Sequence, residues 1–108
     1  MQSGLYKVVF RTSLGTGGSV VVLREGRLWG GDSTLYFVGV YEVTGAHFKA
    51  HLQIDRHTPE ITARPLFGPS RLAVEIEGDG AGGEAVMRGT SKEAPGVTFE
   101  AVMTRLSD

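Results

Sequence analysis

The chain has 108 residues, no cysteine and a formal charge of -1, from 11 Lys and Arg against 12 Asp and Glu. This length suits one domain over residues 1–108, and the lack of cysteine excludes disulfides and fits a reducing compartment, so a cytoplasmic protein is expected. The balanced charge argues against nucleic-acid binding, which usually depends on a basic face. Apolar runs are much shorter than the ~20 residues of a membrane helix, and the first twelve residues lack the apolar region of a signal peptide. Neither a membrane span nor a secretory leader is expected.

Alternating apolar and polar residues, or β-branched composition, predict strands along the first half of the chain. The segments are Gly4–Thr12, Ser19–Arg24, Arg27–Gly31, Thr34–Val43 and Ala46–His57. Ser13–Gly18 is predicted to be a flexible turn, and Glu25-Gly26 is a hairpin signal. The fourth segment is apolar on both faces, so we expect it to be covered on both sides.

The second half begins with an irregular stretch, Thr58–Ser70, which holds three of the four prolines. Proline lacks a backbone N–H, so this stretch predicts an irregular connection or a distorted edge, and a short helix remains open. Gly78–Gly83 is predicted to be a loop. The remaining segments predict three strands: Arg71–Glu77, Glu84–Thr90 and Val97–Leu106.

Eight short strands joined by tight turns predict an all-β fold, an eight-stranded antiparallel up-and-down barrel. A two-sheet sandwich is the main alternative. Such a barrel is either filled by its side chains or holds one small ligand, and small residues such as Gly39, Ala50, Gly89 and Ala101 leave room inside. The candidate lining of an apolar ligand site is Tyr6, Phe10, Trp29, Phe48, Leu52 and Phe99.

The residues that could carry chemistry have simpler interpretations. His47 and His51 share one strand face but stand about 13 Å apart along the strand, too far for one metal ion, and His57 lies further on. Glu75 and Glu77 are spaced like glycosidase carboxylates, yet two Glu on the polar side of a strand favour plain surface. No metal and no cofactor are therefore expected.

The sequence also lacks the motifs that would hold a phosphate group or a catalytic nucleophile. Gly15–Ser19 resembles a phosphate loop, but the valines after it predict a strand and not the helix that would hold phosphate. No serine lies in a G-x-S-x-G pattern and there is no cysteine nucleophile. A non-enzymatic protein is expected. Trp29 is interpreted as a barrel-end plug or core residue, with ligand stacking as the alternative.

A family resemblance rests on a series of N-terminal segments in a fixed order and spacing. The series is Gly4–Phe10, Gly17–Val20, Gly26–Leu28, Gly30–Ser33 and Tyr36–Tyr41. It resembles the GrlR-type negative regulators of type III secretion and covers about residues 4 to 57 well. Pro95-Gly96-Val97 and Thr104-Arg105-Leu106 are similar to short bacterial relatives of that family.

The resemblance implies an eight-stranded, lipocalin-like barrel that dimerises. The characterised regulator restrains a transcriptional activator, and an acidic run in one of its hairpins is implicated in that contact. The corresponding hairpin here, Val43–Ala46, lacks the run and has only Glu42 nearby. The family's Gly-Gly-Asp-Ser, at residues 30 to 33, is interpreted as a structural bend in which Asp32 or Ser33 bonds neighbouring backbone N–H groups.

Two functions of different classes follow as expectations. The first is a regulatory or adaptor protein that binds a partner, such as a transcriptional regulator, and forms a homodimer through a strand face. The second is a carrier or sensor of a small apolar ligand inside the barrel.

Overall fold

The computed structural model describes residues 2–58, 71–81 and 83–108, and in them it forms a closed barrel. Each strand pairs antiparallel with the next, and the last pairs with the first. The predicted eight-stranded antiparallel barrel is therefore confirmed, and the sandwich alternative is wrong. The strands are β1 (Gly4–Thr12), β2 (Gly15–Arg24), β3 (Arg27–Gly31), β4 (Leu35–Thr44), β5 (His47–Arg56), β6 (Leu72–Ala81), β7 (Glu84–Thr90) and β8 (Phe99–Ser107).

Most of two glycine-rich segments, one predicted to be a turn and one a loop, is strand. β2 already begins at Gly15, where Gly15 pairs with Thr12, so the turn is only Ser13-Leu14. β6 continues to Ala81 because Gly78 pairs with both Phe48 and Met87. In both segments pairing with neighbouring strands outweighs the low β propensity of glycine.

Of two other predicted segments, one begins later than predicted and the other lies almost wholly outside the described residues. β8 begins at Phe99, later than predicted, because the Val97 N–H donates to the Ala94 carbonyl in a turn (3.1 Å). Of the irregular Thr58–Ser70 stretch, only Thr58 lies within the described residues, so that prediction stays a prediction.

The interior contains pairs of phenylalanine and glycine on neighbouring strands. Every phenylalanine in the described part of the chain points inward and lies directly across from an inward glycine: Phe10 from Gly17, Phe37 from Gly30, Phe48 from Gly78, and Phe99 from Gly89. A ring can lie over a residue that has no side chain, and this pairing offsets the poor packing of glycine in a strand. Four of the interior glycines thus each lie across from a ring.

The inward glycines also let the strands approach one another closely. A Cβ built on Gly78 would overlap the Val86 carbonyl oxygen and would lie 2.7 Å from the Met87 Cα. A Cβ on Gly30 would likewise overlap the Val20 carbonyl oxygen. These are backbone atoms that cannot move without moving a strand, so the sharp bending needed to close so small a barrel depends on glycine here.

Two predictions about the third and fourth strands are wrong. Trp29 is neither core nor end plug, because β3 turns Leu28 inward (3 % exposed) and Trp29 outward (42 % exposed). In β4, Phe37 is buried whereas Val38 and Val40 are exposed, so this strand is covered on one face only. Side chains on a strand alternate between faces, and the buried Leu28 and Phe37 fix which residues point out.

The close approach at Gly78 predicts a difference between two glycine substitutions. Gly78→Ala should lower the free energy of unfolding by roughly 1–3 kcal/mol, because the added methyl group overlaps backbone. Gly18→Ala should change it by less than about 0.5 kcal/mol, because its Cβ would meet only the Val8 carbonyl oxygen at 3.9 Å. Urea denaturation followed by circular dichroism measures both. Equal midpoints for the two variants would contradict the structural role of Gly78.

Candidate functional site

The barrel interior brings together five of the six predicted lining residues but leaves little room. Tyr6, Phe10, Phe48 and Phe99 are buried and Leu52 is partly buried, while Trp29 lies on the outer surface. The remaining interior void is about 60 Å³ and is lined by apolar side chains that include Phe10, Leu52 and Phe99. Ligand pockets usually measure about 300–1,000 Å³. The described interior therefore gives the carrier hypothesis little support.

Tyr6 is buried at the end of the barrel where Gln2 and Arg105 lie. Its hydroxyl donates to the Gln2 carbonyl (2.6 Å), and burial raises the pKa of the phenol against the opposing effect of Arg105. Arg105 donates to the Ser3 carbonyl (3.0 Å) and to the Asp108 carboxylate (2.7 Å). The polar groups at this end are thus bonded mainly to the chain's own termini.

Among the described residues, the largest cluster of exposed apolar side chains lies on the outside of β2, β3 and β4. We call it the Trp29 face, and its members are Val20, Val22, Trp29, Tyr36, Val38 and Val40. Trp29 pairs with Val22 on one side and Val38 on the other, so these three form a continuous row across the strands. All members except the half-buried Val22 are 40 to 54 % exposed. An apolar cluster of this kind marks an interaction surface more often than chance exposure.

Charges of opposite sign flank the Trp29 face. Arg24 and Arg27 lie at the β2–β3 hairpin, where Arg27 pairs with Val40. On the other flank Val40 pairs with His51, and His51 pairs with Glu75. One side of the face is therefore basic and the other is acidic.

A groove of about 420 Å³ continues the Trp29 face on its acidic side. Val38, Val40 and Ala73 line it with apolar surface, and residues 90–93 form one of its walls. The Ser91 hydroxyl fixes this wall by donating to the Ala73 carbonyl (2.6 Å), and it lies 2.9 Å from a Glu93 carboxylate oxygen. The sequence signal for this region was the apolar character of both faces of the fourth segment, which was interpreted as burial on both sides.

Two of the three histidines, His47 and His51, meet the paired glutamates on β5 and β6. The two ring nitrogens of His47 lie 3.0 Å from Glu77 and 3.2 Å from Asp79, and His51 lies 3.4 Å from Glu75. His57 lies apart, 3.0 Å from the Asp32 carbonyl oxygen. In the described ranges no three His, Asp or Glu side chains are placed to hold a metal ion. The arrangement is a ladder of exposed contacts between histidine rings and carboxylates.

Further along the outer surface, charges of alternating sign follow one another from strand to strand. The directly paired residues, in order around the barrel, are Glu42, Lys49, Glu77, Arg88, Glu100 and Arg11. Opposite charges across a strand pair are favourable and like charges are not, so this row supports the observed register. On β4 to β7 it also lies between Val40 of the Trp29 face and the exposed Val86.

Asp32 ends β3 and confirms the predicted bend. Its carboxylate accepts hydrogen bonds from the backbone N–H groups of Thr34 (2.9 Å) and Leu35 (2.8 Å), as Asp does in turns. Its own N–H donates to the Leu35 carbonyl (3.0 Å). The chain therefore leaves the sheet after Gly31 and returns as β4. The described part of the chain has no helix, and so none long and apolar enough to cross a membrane.

The contacts of His47 predict a pH-dependent ion pair. Hydrogen bonds to Asp79 and then Glu77 raise its pKa above the usual value near 6.5. The raised pKa means that protonated His47 stabilises the fold below about pH 6.5 and that this contribution is lost as the pH rises through the raised value. An NMR titration of the imidazole should give a midpoint above 6.5, which falls in Asp79→Asn. Glu93→Gln, which changes a carboxylate not bonded to His47, should leave the midpoint unchanged; an equal fall in both variants would contradict the assignment.

A scan against models of known protein families and a search of curated proteins both find no match to this chain.

Proposed function

We propose that this chain is a non-enzymatic regulatory or adaptor protein that acts by binding other proteins, as the GrlR-type regulators it resembles do. The observation that carries the proposal is the Trp29 face. Tryptophan and tyrosine dominate binding energy at protein interfaces, and a cluster of them with valines on a strand surface suits a partner's apolar side chains. The interior, with a void of about 60 Å³, offers much less room for a partner molecule.

One partner in the proposal is a second copy of the chain, bound through the Trp29 face. A two-fold axis parallel to the strands, between β3 and β4, would place Trp29 of each copy over Val38 of the other. The same axis brings Arg24 of one copy toward His51 and Glu75 of the other, so the basic flank meets the acidic flank. Such self-complementarity is what an isologous dimer requires. It would also cover the outer face of β4, which is apolar but exposed in the single chain.

The second partner in the proposal is a transcriptional regulator. The resemblance supports this class of partner, but the β4–β5 hairpin has only Thr44, Gly45 and Ala46 where the family has acidic residues. We therefore propose that the regulator binds at a surface other than this hairpin.

The Trp29 face predicts that one charge introduced at its centre prevents self-association. Trp29→Glu should weaken the dimer at least about 30-fold, since a tryptophan at the centre of an interface contributes about 2 kcal/mol or more. Val86→Glu is the matched control, because Val86 is exposed to a similar degree (58 %) but lies on β7, outside this face. Light scattering coupled to size exclusion, over a range of concentrations, measures both. A wild-type chain that stays monomeric at all concentrations would count against the dimer.

Partner binding is tested by capture from the native host. Tagged wild-type protein should retain a specific protein, which mass spectrometry identifies. Either Trp29→Glu or the dimer-competent Val86→Glu should retain that protein to a measurably different extent from the wild type. If no specific partner is retained under several growth conditions, and native mass spectrometry instead gives the protein bound to an apolar small molecule, the carrier hypothesis replaces the proposal.

A further inference from the structure

We propose that the free edge of β2, at Gly15–Ser19, binds an extended segment of a partner protein by adding it to the barrel as a strand. This inference rests on the proposed function, because it assigns a site to a protein partner. It goes beyond the proposal by naming the part of the barrel that binds and the kind of segment that fits.

The edge exists because β3 is shorter than the strand beside it. β2 pairs with β1 from Gly15 to Leu23, along all but its last residue, but β3 pairs only with Val20 to Arg24. The Asp32 turn diverts the chain after Gly31, before it reaches the level of Ser19. In the part of the chain that the structure describes, no strand lies beside Gly15–Ser19 on that side.

The hydrogen-bond pattern identifies which backbone groups of this edge have no partner in the described part of the chain. Thr12 and Gly15 flank a two-residue turn, so they form a hydrogen-bonded pair, and bonded pairs then alternate along β1 and β2. Gly17 and Ser19 are therefore bonded to β1. Thr16 and Gly18 direct both their N–H and their C=O groups away from β1, toward the open side. Both residues are exposed.

These groups have the chemistry of a strand-binding site. Unpaired N–H and C=O groups along a strand edge recognise the backbone of another strand, and proteins use such edges to bind extended peptides. Val20, the next residue of the same parity, already pairs with Gly31. An added segment would lie beyond the end of β3, run in the same direction as β3 and pair antiparallel with β2. It would continue that ladder, with one residue opposite Gly18 and another opposite Thr16.

The side chains around the edge indicate which residues the segment should carry. Gly18 has no side chain and lies between Val9 and Val20, which are 41 % and 45 % exposed, so the residue opposite Gly18 can cover both if it is apolar. Lys7 and Arg11 are the charged residues on the outer face of β1 here, paired with Val20 and Thr16. An acidic residue opposite Thr16 would therefore be favoured.

A buried hydroxyl on the inner side of the same edge adds a polar preference. The Ser19 Oγ is buried and has no hydrogen-bond partner among the described residues. A buried polar group without a partner is unfavourable. The segment's middle residue, opposite Gly17, would point inward beside Ser19, where a Thr hydroxyl can bond the Ser19 Oγ. The preferred order from the segment's N-terminus is thus apolar, Thr and acidic.

A second copy fits this edge less well than a partner segment. The edge spans about 16 Å at ~3.3 Å per residue, and a stable interface usually buries about 800 Å² on each partner. Pairing two copies edge to edge would also bring Lys7 and Arg11 of both chains to one seam, where like charges repel. The occupant we propose is therefore a short acidic and apolar segment.

The test uses a synthetic probe, the acetylated and amidated peptide Thr-Ile-Thr-Glu-Val, and the full chain labelled with ¹⁵N. Binding should shift the amide signals of Thr16 and Gly18 and slow their hydrogen exchange at least about tenfold. N-methylation at Ile and Glu, whose N–H groups would face β2, should abolish the effect. N-methylation at the middle Thr, whose N–H would face away, should leave it intact.

Two protein variants complete the test. Gly18→Pro removes a free N–H and fills the edge, so it should abolish peptide binding, while Gly18→Ala should keep it. Thr16→Pro acts in the same way and replaces Gly18→Pro if circular dichroism shows that the latter does not fold.

Three outcomes would overturn the inference: no shift at millimolar peptide, equal binding of both N-methylated peptides, or shifts confined to the Trp29 face. A change of oligomeric state in Gly18→Pro would assign the edge to a second copy and overturn it as well. Because the probe is synthetic, these results are independent of partner capture and of the Trp29→Glu dimer test, which decide the proposed function.

Discussion

The pairing of phenylalanine with glycine across neighbouring strands is the interaction on which the rest of this structure depends. A closed barrel of eight short strands has to bend its strands sharply, and side chains at the bends would collide with the neighbouring backbone. The glycines at 30, 78 and 89 avoid that collision. The rings of Phe37, Phe48 and Phe99 then fill the space that those glycines leave.

Because side chains fill the described interior, the outer surface offers more room for a binding partner. Once Leu28 and Phe37 point inward, the parity of β3 and β4 places Trp29, Val38 and Val40 outside. The face that results is apolar at its centre, basic at the β2–β3 hairpin and acidic toward β6. Its composition resembles the centre of a protein interface more than an ordinary solvated sheet.

The Asp32 turn connects the two candidate surfaces. By ending β3 at Gly31 it leaves Thr16 and Gly18 of β2 without a described strand on the side away from β1, and it starts β4 at the level where Tyr36 joins the Trp29 face. The exposed Val20 lies at the boundary between the free edge and the face. A segment bound at the free edge would therefore also cover Val20 and so change part of the Trp29 face.

The sequence by itself determined the number of strands and their order, because alternation with a period of two and frequent turns are local signals. It favoured a closed barrel over a sandwich, and the pairing of β1 with β8 decided between them. The sequence also determined the bend at Asp32. Only the tertiary structure decided that the segments Gly15–Gly18 and Gly78–Ala81 are strands, since glycine has low strand propensity and these residues are held in strands by pairing with neighbouring strands, as Gly17 does with Phe10 and Gly78 with Phe48. Likewise, the five residues of β3 are apolar at both Leu28 and Trp29, so the register with β2 and β4 had to decide which side chain points outward.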